Sequence, residues 1–370
     1  MRVAYTIGIL RVPPTYFAVQ HAEKLKTNVS ALFGLVVEKN DDSIKIPFIS
    51  AVPGEGVLSF RKREYIEPLF LGRMSRQITA FNPEIIHQHF ATWAIPATKA
   101  AKKTGAPLLV TLHGADVFMQ LYPPHTLMRS WHQKNYLAVN REANKILPVS
   151  RYLADKAIES GLSASKIEVH YQGIDTDFFT PPPTPSENEI PTVLHVGALS
   201  LAKGIPTLIK ASNILTKTIP HKLLLVGDGP LKPEVLQAQQ QYPHICYLGA
   251  MNREQVKEQM QRSDLFVLAT QKYRGWEEAA GLVTLEAQAC GTPVVVNRSG
   301  GAAEMLSADV TGFTAERENP ESLARQIQKF LSLDCASQIE MGKKAREFVV
   351  NERSLNSSCR RLLSIYNSLL

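Results

Sequence analysis

Residues 276–296 read WEEAAGLVTLEAQACGTPVVV, and their order decides the fold. GLVTLEAQA (281–289) reads as a helix opened by a glycine, and GTPVVV (291–296) as a buried strand behind a short turn. Outward from this unit the same alternation recurs. RVAYTIGI, ALFGLVV, IIHQHF, PLLVTL and KILPVS precede it as short β-type runs separated by helical stretches; TVLHVG, KLLLVG, ICYLG and DLFVLAT lie nearer to it. Near-continuous apolar strands with helices between them predict parallel sheets covered on both faces. Two such series in tandem predict an α/β chain of two Rossmann-like domains facing across a cleft.

The bulk composition agrees with that size. A chain of 370 residues, 44% hydrophobic and 20% charged, is a folded protein large enough for two domains. Lys and Arg number 41 against 34 Asp and Glu, a formal +7. The excess suits phosphorylated ligands or an anionic membrane face and falls short of a dedicated nucleic-acid binder. Cys246, Cys290, Cys335 and Cys359 stand far apart with no CxxC pair, which predicts a reducing compartment and no metal cluster. The apolar opening MRVAYTIGIL gives way to RVPPTY, too short a run for a signal peptide, and no stretch approaches the ~18 apolar residues of a span. A cytoplasmic chain is expected, placed at the inner face of the cytoplasmic membrane if it touches lipid. The stretch TPPPTPSENEI (180–190) can build neither helix nor central strand and reads as a linker. The expected division is 1–180, a linker at 181–190, 191–350, and a last helix over 351–370. That helix carries Leu355, Cys359, Leu362, Leu363 and Tyr366 on one stripe and is expected to pack back on the N-terminal domain.

Glu278 and Glu286 raise the functional question. With Gly281 at the helix start, the amides of Gly281, Leu282 and Val283 have no intrahelical acceptor and favour an anion. Carboxylates beside an anion site are repulsive unless they serve another purpose, such as accepting hydrogen bonds from a vicinal diol. Together they would bracket a phosphate between hydroxyl-bearing rings, as in a nucleotide sugar. The plain alternative is a pair of surface glutamates favoured by the helix dipole. Lys203-Gly204, opening a helix after the strand in VGALSLAKG (196–204), suits a pyrophosphate or is a surface lysine at a turn. His113 follows the strand PLLVTL, at the sheet end that lines the crevice of open α/β folds.

The E-x7-E pattern, followed by LEAQACGTPVVV and GGAAEML…TGF (300–313), resembles the retaining glycosyltransferases of family 4, which have the GT-B fold. HGAD (113–116), VSRYLADKAIESG (149–161), YQGIDTDFF (171–179), VGDGP (226–230) and YLGAMNREQV (247–256) are similar in the same order. The likeness covers nearly the whole chain, is looser before residue 85, and with HFATW (89–93) is greatest to the polysaccharide-building, colanic-acid-type branch. It implies transfer of a hexosyl unit from a nucleotide-diphosphate sugar to a saccharide or lipid-linked acceptor, with the sugar as substrate and no cofactor or metal. It implies catalytic roles for His113 and Glu278, and donor contacts at Gly197, Lys203, Met251, Gly281, Leu282, Val283 and Glu286. Ala198 stands where the family has an arginine. The Asp175–Asp177 pair sits in a structural segment of the family, so no metal is assigned to it. His87 and His89 share one strand face as an acceptor-side wall or as packing. FRKREYIEPLFLGRMSRQ (60–77) and KAAKK (99–103) suit anionic lipid, or a solvated helix face. The rival readings are a nucleotide-sugar 2-epimerase of the same architecture and a non-catalytic nucleotide-sugar sensor.

Overall fold

The apolar runs form two six-stranded sheets in which every pairing is parallel. The computed structural model describes residues 1–12, 17–25, 29–41, 43–54, 57–123, 126–184 and 188–370. It divides into two units, Met1–Gln172 with Ser358–Leu370, and Gly173–Ser357.

The first unit holds β1 (Arg2–Val12), β2 (Val29–Lys39), β3 (Phe48–Ser50), β4 (Ile85–His89), β5 (Leu108–Leu112) and β6 (Lys145–Pro148). The second holds β7 (Thr192–Val196), β8 (Lys222–Val226), β9 (Ile245–Gly249), β10 (Leu265–Leu268), β11 (Val294–Asn297) and β12 (Gly312–Ala315). The sheet orders, β3-β2-β1-β4-β5-β6 and β12-β11-β10-β7-β8-β9, are the same path read from opposite ends. Each is the dinucleotide-fold order, which reverses beside its first strand and opens a crevice beyond the carboxyl ends there. Strands such as Leu108–Leu112 and Val294–Asn297 are buried along their whole length, as helices on both faces require. The three-residue β3 and the strand β12 were not among the runs read from the sequence, β3 being very short and β12, GFTA, holding a glycine and a threonine in place of an apolar run.

The chain passes between the units at Gln172/Gly173 and again at Ser357/Ser358. An isolated parallel bridge joins Ile174 to Ser354, with Leu355 N donating to Ile174 O at 2.7 Å. The proline-rich stretch therefore lies inside the second unit, and its residues 185–187 are outside the described residues. In the first unit, Tyr366 of the last helix (Leu355–Asn367) is fully buried, its hydroxyl 2.6 Å from His87 Nδ1. Tyr366→Phe leaves that ring nitrogen buried without a partner. It is expected to cost about 1–3 kcal/mol, read as a fall of several degrees in the thermal midpoint with an unchanged circular-dichroism spectrum.

Candidate active site

In the second unit two loops meet at the switch point between β7 and β10. The loop after β7 carries Gly197 and Lys203; the loop after β10 carries Glu277 and Glu278. Lys203 Nζ donates to Glu278 Oε2, and both side chains are largely buried. The backbone explains why they stay there. Gly204 caps the helix Ile205–Leu215 with φ +66, and a Cβ on it would fall 1.9 Å from Ala269 O, so only glycine lets the two loops approach. Gly281 caps the helix Leu282–Ala289 with φ +81, and Thr284 N turns back on its carbonyl at 3.0 Å. The preceding amides, at Gly281, Leu282 and Val283, lie beyond reach of the helix's own carbonyls. Gly197 N donates to Val226 O at 3.0 Å, which holds the loop after β7 to the end of β8.

Glu286, one turn further along that helix, is the second carboxylate. Burial pushes it up to about 7, with the charge of Arg253 opposing the rise. No donor to it is found among the described residues, so its oxygens are open to hydroxyl groups. Arg253 begins a helix (Arg253–Arg262) capped by Asn252, and Met251 lies just ahead of that cap. The structure thus brings Lys203 to Glu278 directly and places Glu286 within the field of the Met251–Arg253 turn. Asp175 Oδ1 accepts from Asp177 N and Phe178 N, both at 3.1 Å, which makes this pair of aspartates a turn.

Glu277 was not singled out from the sequence. Its Oε2 accepts from Gly300 N at 3.0 Å and from Arg317 Nη1 at 3.1 Å, while Gly301 N donates to Glu278 O at 2.8 Å. The loop bearing Glu278 is thereby clasped to the turn after β11. A bare Glu-Glu pair carries no sequence signal separating the member that builds the loop from the member that faces a ligand.

In the first unit His113 ends β5 inside an aromatic cage, with the rings of Phe90 and Phe17 at 4.4 and 4.6 Å. Gln172 Nε2 donates to its Nδ1 at 3.2 Å, so its proton sits on Nε2, which meets His89 Nδ1 at 3.1 Å. That fixes His89 as acceptor at Nδ1 and leaves its buried Nε2 without a partner. Burial, followed by the nearby His89 and His21, holds His113 well below the ordinary imidazole value. His113 is neutral at pH 7, and with Nδ1 accepting from Gln172 and Nε2 directed at His89 it has no free lone pair on the ring; its main-chain carbonyl and ring edge are what it can present. Asp116, fully buried, draws this corner together: Oδ2 accepts from Ala91 N at 3.0 Å, Oδ1 from Gly114 N at 3.0 Å and His113 N at 3.2 Å. Phe90 sits at φ +62, a conformation costing about 1–3 kcal/mol in a non-glycine residue, and its N–H is tied to Thr111 O. His87 and His89 stack at 4.8 Å, buried, His87 being held between Thr111 and Tyr366. Among the described residues no cluster of three or more His, Cys, Asp or Glu side chains could hold a metal ion.

Comparison with known proteins adds an independent line. Residues 179–348 match the model of glycosyl transferases group 1, and residues 36–178 that of glycosyltransferase family 4. The sulfoquinovosyl transferase of Arabidopsis thaliana is 26% identical, over 91% of this chain and 69% of the relative. A putative colanic acid biosynthesis glycosyltransferase of Escherichia coli is 24% identical over 81% of this chain and 75% of its own. The structure of HepE from Anabaena, solved with UDP, superposes with a TM-score of 0.79 at 19% identity and covers all of both chains.

Glu286 yields a signed stability prediction. Its folded value of about 7 exceeds the ordinary 4.5, so the unfolded chain loses the proton first. Stability falls as pH rises from 4.5 toward 7, and the penalty is complete above that. Glu286→Gln is expected to raise the thermal midpoint of the free protein at pH 8 by roughly 3–6 °C and to leave it unchanged at pH 4. Equal shifts at both values would contradict the burial argument.

Proposed function

Because the chain belongs to the family 4 glycosyltransferases of GT-B fold, we propose that it transfers a hexosyl unit from a nucleotide-diphosphate sugar with retention of anomeric configuration. The acceptor is a saccharide or a lipid-linked saccharide, and the product enters an extracellular or capsular polysaccharide made from the cytoplasmic side. The observation that carries the reading is the Lys203–Glu278 pair at the switch point, beside the free amides of the Leu282–Ala289 helix.

In the proposed complex Gly197, its own amide held by Val226, leaves room for the diphosphate close to the backbone, and Lys203 and the amides of Gly281, Leu282 and Val283 take it. Their fixed positive charge balances the leaving group, so the transfer proceeds without a metal. Glu286 accepts hydroxyls of the ribose, Met251 lies against the base, and Glu278 holds hydroxyls of the transferred sugar. Ala198 supports a donor site with one cation where the family has two.

Retention requires attack either from the leaving-group face or through a covalent intermediate. A nucleophile for the second route must stand opposite the diphosphate. Glu278 is paired with Lys203, the ammonium proposed to hold the diphosphate, which supports a place for it beside the leaving group rather than opposite it. The proposed route is therefore front-face. The acceptor oxygen bonds to the anomeric carbon as the carbon–oxygen bond to phosphate breaks, and the acceptor proton passes to the departing phosphate. His113, neutral and fully engaged, moves no proton in this route.

The relatives support the sugar-transfer class by name; the acid and cation at the switch point support the donor class by charge. Proton NMR of the product is expected to show the donor's anomeric configuration, and an inverted product would contradict the reading. Lys203→Ala is expected to lower kcat/KM about 100-fold, while a chelator leaves the rate unchanged. Sugar covalently trapped on Glu278 would overturn the front-face route.

A further inference from the structure

Between residues 60 and 81 the chain is helical in three abutting segments, Phe60–Ile66, Glu67–Phe70 and Leu71–Phe81. Its exposed positions Lys62, Tyr65, Leu69, Arg73 and Arg76 recur every three or four residues and so form one stripe. Two large apolar side chains on that stripe face outward: Tyr65 is 76% and Leu69 81% exposed. Arg63, by contrast, is buried and bonded to Val37 O, Ser50 Oγ and Val52 O, so it does not belong to the stripe.

In the same unit the helix Ile95–Thr104 packs on Leu71–Phe81, and Leu127–Glu142 packs in turn on Ile95–Thr104. Between the first pair runs a groove of about 550 Å³ lined by Gly72, Ser75, Arg76, Lys99, Lys102 and Lys103, with no acid. A second, of about 380 Å³, shares Lys99 and Lys102 and adds Lys134 and Arg141, with Glu142 as the one acid in its wall. Glu142 meets Lys102 at 2.7 Å and Arg141 at 3.8 Å. Among the described residues Arg73, Arg76, Lys99, Lys103 and Lys134 have no ion-pair partner.

We propose that this three-helix face docks on an anionic phospholipid surface, its two grooves receiving lipid phosphates and Leu69 and Tyr65 entering the acyl boundary. Small floors, Gly72 and Ser75 in one groove and Ala138 in the other, leave room for a phosphate between cationic walls. A polyanion in solution would satisfy the cations but has no use for an exposed leucine beside them. A membrane uses both, since interfacial binding sums apolar burial and attraction to acidic headgroups. Among the described residues no helix is long and apolar enough to cross a membrane, so contact of this kind would be made from the surface. The inference stands on the first unit alone and does not rest on the donor chemistry of the second.

The test is flotation of the full chain with vesicles of phosphatidylglycerol and phosphatidylcholine, against phosphatidylcholine alone, at low ionic strength. Binding is expected only with the acidic lipid. Each neutralised cation weakens it about fivefold, so Arg76→Ala with Lys99→Ala is expected to weaken it roughly 25-fold, and Leu69→Ser about tenfold. Lys222→Ala, an exposed cation of the other unit, leaves it unchanged. All variants keep the circular-dichroism spectrum and thermal midpoint of the parent chain, which separates lost docking from lost folding. No flotation with acidic vesicles, or flotation undiminished by the double substitution, would overturn the proposal. So would heparin binding as tight as vesicle binding together with a silent Leu69→Ser, which would reassign the face to a soluble polyanion.

Discussion

The ion pair of Lys203 and Glu278 is the interaction on which the proposed chemistry of the second unit depends. Each residue comes from a loop at the carboxyl end of a strand, and the two strands are the neighbours at which the sheet order reverses. Parallel β/α folds open a crevice there because successive connections diverge to opposite faces. Lining it with an ammonium, a carboxylate and the start of a helix gives positive groups for phosphates and an acceptor for hydroxyls within one small volume. The supporting structure is glycine and hydrogen bonding: Gly204 against Ala269 O, Gly281 at the helix start, and Glu277 clasping the turn after β11. A side chain at Gly204 would push the lysine loop off its neighbour, and with it the pair.

Much of this architecture was legible from the residues. Ten strands announced themselves as largely apolar runs, since a strand buried on both faces has little polar alternation to blur it, though Ile85–His89 carries two histidines and a glutamine. Phe48–Ser50 carried too few residues for that signal, and Gly312–Ala315, as short as three strands that were read, lacks their apolar run because glycine and threonine fill two of its four positions. The passage between the units was harder to place. Proline density drew attention to residues 181–190, whereas the chain crosses at Gln172/Gly173 and Ser357/Ser358, next to the bridge between Ile174 and Ser354, a pairing distant in sequence and invisible to composition. Glu278, Glu286 and Lys203 stood out because acids and a cation beside glycine-opened helices have a local rationale. Glu277, Asp116 and Gln172 did not, since each acts through a partner brought near only by folding.

His113 shows what geometry adds to a motif. A histidine at the end of a strand invites the role of general base, and its position alone does not exclude that. The donor from Gln172 settles the tautomer, the contact to His89 occupies the second nitrogen, and burial among further imidazoles keeps the ring uncharged. What is left is a rigid wall with a main-chain carbonyl.

The central claim is that the buried, hydroxyl-accepting carboxylate of Glu286 belongs to a nucleotide-sugar site. The direct measurement is calorimetric titration with UDP-, GDP- and ADP-sugars at several pH values, since these diphosphate diesters do not themselves titrate near neutrality. The account predicts that one of them binds more tightly as pH rises through about 7, with proton release, and that Glu286→Gln binds weakly with a flat profile. Tight binding with the same pH profile in both proteins would contradict it.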